Sequence, residues 1–128
     1  MTRYKITITV TSSCKKAGTD ETDSKLGRWR YMIDHGGLTI TGEGQDSNEA
    51  MTAYAANLRG IIDAMSSVHN PCFITIRTRD QAIPQTAIGI KTLGWNPRGR
   101  KAWAQTDLWR TLVKVANEGG HKLSFEHF

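Results

Sequence analysis

Apolar and polar side chains alternate over residues 4–11, with Tyr4, Ile6, Ile8 and Val10 on one side and Lys5, Thr7, Thr9 and Thr11 on the other. A period of two puts these sets on opposite faces of a strand, so the pattern predicts a strand with one wet face. Residues 12–26 have no apolar period; they mix Lys15, Lys16 and Lys25 with Asp20, Glu21 and Asp23, as an exposed loop does. Alternation returns over 27–34, where Trp29, Tyr31 and Ile33 oppose Arg28 and Arg30. His35, Gly36 and Gly37 then supply a turn into a third strand, 38–42, completing an antiparallel meander.

The period changes after Asp46-Ser47-Asn48-Glu49, which has the form of a capping box: a short acceptor side chain can bond free amides while Glu49 reaches back. Met51, Tyr54, Ala55, Leu58, Ile61, Ile62 and Met65 recur at three and four residues, predicting a helix to about residue 67 whose stripe packs on the sheet. Asn70-Pro71 breaks it, and a fourth strand is predicted over 72–78. A short helix follows over 81–90, strained by Pro84. Residues 94–99 form a basic, aromatic-bearing turn. A last helix runs from Thr106 or Asp107 to Asn117, with Leu108, Leu112, Val113 and Val115 for the core, and Gly119 and Gly120 end it. The final strand is 122–128. The order is βββαβααβ, a mixed α/β sheet with crossover helices.

At 128 residues the chain fits one domain, 1–128. Seventeen Lys and Arg against twelve Asp and Glu give +5, which favours an acidic partner such as nucleic acid, although a solvated basic surface would give the same number. The N-terminus lacks a charged-then-apolar leader and no stretch reaches membrane-spanning length, so a cytoplasmic protein without a membrane partner is expected. Cys14 and Cys72 fit neither a zinc motif nor a disulfide framework and are read as reduced thiols. His35, His69, His121 and His127 have no metal spacing.

Five short motifs, in order and on matching elements, carry a likeness. Val10-Thr11-Ser12-Ser13-Cys14 stands for T-D-G-S-C at the end of a first strand, and Ser47-Asn48 for paired asparagines before a long helix. Thr78-Arg79-Asp80-Gln81 stands for T-D-S-Q, Asp107-Leu108-Trp109 for D-L-W, and residues 121–126 for the strand beyond. The chain resembles the ribonuclease H family over almost its whole length. The resemblance implies a mixed five-stranded sheet with helices mainly on one face. It also implies cleavage of the RNA strand of an RNA/DNA hybrid by two divalent metals held by carboxylates. Matched residue by residue, however, Thr11, Met51 and Arg79 stand where three of those carboxylates are expected. Neither a thioether nor a guanidinium suits a hard cation. The sequence also stops at Phe128, before the family's basic loop and final helix, so that helix is expected to be absent. No cofactor is expected, with magnesium or manganese implied only if a displaced carboxylate such as Asp80 serves an enzyme; Glu49 is better explained by capping.

The resemblance also implies binding residues. Asn48 and Gln81 match positions that contact the hybrid's minor groove, where amides read base edges and 2′-hydroxyls. Lys91, Trp95, Arg98, Arg100, Lys101 and Trp103 lie where many members carry a basic, tryptophan-bearing handle, and Arg79 is a candidate phosphate contact. Independently, the wet strand faces collect Lys5, Arg28, Arg30 and Arg77; Phe73 and Phe128 find no place in that pattern. The expected function is a non-catalytic binder of hybrid or structured nucleic acid. A protein-interaction or homodimerisation module and a metal-dependent ribonuclease H with displaced ligands are the alternatives.

Overall fold

Eight elements follow one another as β1 (Tyr4–Lys16), β2 (Lys25–His35), β3 (Leu38–Asn48), α1 (Ala53–Ser66), β4 (Cys72–Thr78), α2 (Ala82–Thr92), α3 (Thr106–Glu118) and β5 (Lys122–His127). The computed structural model describes residues 4–16, 25–48, 51–92 and 106–128. The strands form one sheet in the order β3-β2-β1-β4-β5. β1 pairs antiparallel with β2, and β2 with β3, while β4 runs parallel to both β1 and β5.

Alternation assigns the two faces. Ile6, Ile8 and Val10 of β1 and Ile74 and Ile76 of β4 are buried beneath Leu58, Ile61 and Met65 of α1, Ile83 and Ile90 of α2, and Trp109 and Leu112 of α3. All three helices therefore lie on one face, where removing this apolar surface from water drives assembly. Trp109, fully buried, donates its indole N–H to Tyr54 Oη at 2.7 Å, tying α3 to α1. Among the described residues no helix is long and apolar enough to cross a membrane.

Four expectations differ from the structure for physical reasons. Residues 12–16 and 25–26, expected within an exposed loop, extend β1 to Lys16 and open β2 at Lys25, because residues 12–16 pair antiparallel with 25–29 and the ladder holds them extended without any apolar period. β3 continues to Asn48 because Gly42 and Gly44 are strand residues, not a turn. They face Tyr31 and Trp29 across the β2–β3 ladder, and a Cβ at Gly44 would come within 2.5 Å of the indole. The edge strand needs glycine for the two rings to lie over it. The helix cap is Thr52, whose Oγ1 accepts from Ala55 N at 3.0 Å, and not the 46–49 box. Asp46 belongs to β3 and pairs with Arg59, while Glu49 lies outside the described residues. Pro84 is the third residue of α2, where the missing N–H has no helical acceptor to lose, so the expected strain does not arise.

Candidate nucleic-acid interface

The parallel strands β1 and β4 finish at the same end of the sheet, and the first turns of α1 cross that end. The junction leaves a cleft of about 390 Å³ lined by Thr11 and Ser12 of β1, Ala53 and Asn57 of α1, and Arg79, Asp80 and Gln81 after β4. The T-S-S-C and T-R-D-Q segments meet here, as their likeness to the family motifs implied.

A buried amide organises the floor. Asn57, 2% exposed, donates from Nδ2 to Ser12 Oγ at 3.2 Å, and Ser12 Oγ in turn donates to Ala53 O at 2.8 Å. On its other side Thr78 Oγ1 donates to Asn57 Oδ1 at 3.0 Å and accepts from Asp80 N at 3.1 Å. One neutral chain of hydrogen bonds thus joins β1, α1 and β4. Sequence reasoning missed Asn57, although an amide three residues after Tyr54 and one before Leu58, inside an apolar stripe, was its signal.

The structure corrects the position of Met51. It precedes α1, is 2% exposed and packs with Trp29, Ala55 and Ala56, its sulfur so near Gly27 that a Cβ there would sit 2.5 Å away. The residues that α1 presents to the cleft are Ala53 and, one helical turn on, Asn57. Thr11 is exposed in the cleft. Asp80 lines it too, but its Oδ1 accepts from Ala82 N at 3.0 Å, which caps the start of α2. Arg79 reaches back over the Phe128 ring, 5.2 Å from its centroid. Gln81 is exposed at the rim. Asn48 closes β3 and is not among the lining residues. Lys91 lies on α2; Trp95, Arg98, Arg100, Lys101 and Trp103 fall outside the described residues.

This donor set does not fit a pair of divalent cations. Such ions want several oxygen ligands, mostly carboxylates. Among the described residues the cleft offers one carboxylate, already engaged as a cap, beside a permanent guanidinium cation. Among the described residues no three His, Cys, Asp or Glu side chains converge.

The face of the sheet opposite the helices is polar and basic. Register places Arg28 and Arg30 of β2, Lys5 and Thr11 of β1, and Arg77 of β4 on it. Arg30 pairs with Glu43 at 3.5 Å and Arg77 with Glu126 at 2.8 Å; Arg28 makes no ion pair among the described residues. The two aromatic rings unassigned by pattern also belong here. Phe128 lies under Arg77, 4.8 Å from its ring centroid, and under Arg79, and Phe73 stands between Lys5 and Lys122 in the ladder.

No family model matches the chain. It is similar to "Ribonuclease H" of Ralstonia nicotianae, 29% identical over 97 residues, covering 70% of this chain and 61% of that one. A second relative, "Ribonuclease H" of Verminephrobacter eiseniae, is 28% identical over 72 residues, 53% of this chain and 46% of that one. The chain thus spans about half to three fifths of the length of these curated relatives. Among solved structures, LC11-RNase H1 in complex with RNA/DNA hybrid superposes with a TM-score of 0.62 at 15% identity, over 96% of this chain and 84% of that one, a likeness of fold. In sheet order, element order and sequence relationship, the chain is ribonuclease H-like.

Proposed function

We propose that this is a non-catalytic ribonuclease H-like domain that binds nucleic acid, an RNA/DNA hybrid or a structured strand, at the strand-end cleft. The observation that carries the reading is the composition of that cleft, where Thr11, Ala53 and Arg79 line the walls and a neutral amide network fills the floor. Such a site retains hydroxyl, amide and guanidinium groups that bond phosphates and 2′-hydroxyls, and lacks the charge that grips metals. LC11-RNase H1, similar in fold, is seen in complex with RNA/DNA hybrid, which supports the choice of ligand.

The test pairs filter binding with a cleavage assay. A labelled hybrid should be retained with an affinity that falls steeply as salt rises, because phosphate contacts release counterions. With magnesium or manganese the hybrid should stay intact. Metal-dependent cleavage that Asp80→Asn abolishes would establish the enzyme reading instead.

The edge strand β3 favours a second reading, self-association. It ends the sheet with Leu38 72% and Ile40 60% exposed, a surface suited to pairing with another strand. Sedimentation showing a monomer at every concentration would remove it.

A further inference from the structure

We propose that the open sheet face carries a second binding site, separate from the cleft, for single-stranded RNA. Between β1, β2 and β3 this face sinks into a groove of about 580 Å³, bordered by Thr11, Ser13, Arg28, Arg30, Glu43 and Gln45. These side chains come from paired positions: Thr11 faces Arg30 and Ser13 faces Arg28 across the β1–β2 ladder, and Arg30 faces Glu43 and Arg28 faces Gln45 across β2–β3.

Charge selects the occupant. On the described part of this face stand Lys5, Lys15, Arg28, Arg30, Arg77, Arg79 and Lys122, against Asp34, Glu43 and Glu126. Seven cations less three anions leave +4 on the described part of this face. A merely solvated face would mix signs more evenly. This face calls for an anion, and its extent calls for a polyanion. Arg30 on β2 and Arg79 beyond the end of β4 are separated by two strand spacings, roughly 10 Å, so the cations form a track across the strands.

The chemistry within the track points to a single strand of RNA. Arg77 and Arg79 lie over the Phe128 ring, so aromatic surface is interleaved with cations. Unpaired bases stack on such surfaces, whereas bases inside a duplex are hidden from them. The groove adds the hydroxyls of Thr11 and Ser13 and the amide of Gln45, groups that bond a 2′-hydroxyl. Thr11 and Ser12 border both groove and cleft, so a strand in the groove leads towards the cleft.

Fluorescence anisotropy with labelled twelve-residue oligouridine, its oligothymidine counterpart and an RNA/DNA hybrid tests this on the full chain. The variant Arg28→Glu/Arg30→Gln, whose second change spares Glu43 a like-charge neighbour, should bind oligouridine at least tenfold more weakly. Its log K against log salt slope should fall by about 1.4, the loss of two phosphate contacts on a single strand. Hybrid affinity should change less than threefold. Circular dichroism and melting confirm that the variant is folded, and Phe128→Ala offers an independent route, expected to weaken oligouridine at least fivefold. Oligouridine binding unaffected by both variants overturns the proposal while leaving the cleft reading intact. Loss of hybrid binding alone on Gln81→Glu, a change at the cleft and off the sheet face, would confirm two sites, and oligothymidine bound as tightly as oligouridine overturns the assignment to RNA.

Discussion

Asn57 shows how one residue can hold a site together without a metal. Both ends of its amide are used, towards Ser12 and towards Thr78, which is fully buried. Replacing it with alanine removes the acceptor from a buried hydroxyl and the donor from Ser12, and an orphaned buried polar group costs about 1–3 kcal/mol. Asn57→Ala should therefore lower the unfolding free energy by about that amount in urea titration, with an unchanged denaturant slope. A loss below about 0.5 kcal/mol would mean that the network closes the cleft without stabilising it. Trp29 is a second such residue: its indole N–H donates to Asp63 Oδ2 at 3.0 Å while Arg59 covers the ring at 4.9 Å and pairs with Asp46. Pattern reading found Trp29 as an inward apolar position and could not see this polar collar, because its members lie on three elements far apart in sequence.

At the scale of elements, the start of α1 decides which residue faces the cleft. A helix beginning near residue 46 would make Met51 part of the stripe, whereas capping by Thr52 leaves Met51 in the approach segment and Ala53 at the cleft. Two cap candidates six residues apart, Asp46 and Thr52, both precede apolar periods, and local sequence cannot choose between them. The choice is made by β3, which keeps residues 38–48 extended against β2. The difference is measurable. Met51→Glu places a charge in an apolar pocket with no partner and should destabilise by more than about 3 kcal/mol. Ala53→Glu is exposed and should cost less than about 1 kcal/mol. Combined with Thr11→Asp and Arg79→Asp, the glutamate at 53 should create a site at which magnesium raises the melting temperature, and the glutamate at 51 should not. Equal costs for the two single changes would refute this placement of α1. The strands were more legible: alternation gave all five, and β4 in full, since burial on one face writes its period directly into the sequence.

For the whole molecule, two groups outside the cleft contribute to the response to acid. Burial holds the His121 pKa below its ordinary 6.5, and the ring is kept neutral while Nδ1 accepts from Cys72 N at 3.1 Å, joining the start of β4 to the turn before β5. Asp46 is lowered from 3.8 by its hydrogen bond to Arg59, then by that of Ser47 N–H. For both, the unfolded chain binds more protons than the folded one as pH falls, so stability rises with pH across each window. The His121 contribution is complete above about 6.5 and is lost as pH falls below it towards the folded value; that of Asp46 persists to below about 3.8. The melting temperature should accordingly fall in two stages on acidification. His121→Asn, which keeps an acceptor near the Cys72 amide but cannot titrate, should flatten the first stage and leave the second. Asp46→Asn should do the reverse, at the cost of the ion pair that fastens the end of β3 to α1. A melting temperature constant from pH 7 to 5 in the parent chain would show that the histidine accepts its proton without penalty. The turn before β5 would then be looser than the close fit of His121 under Gly119, where an added Cβ would stand 2.4 Å from the ring.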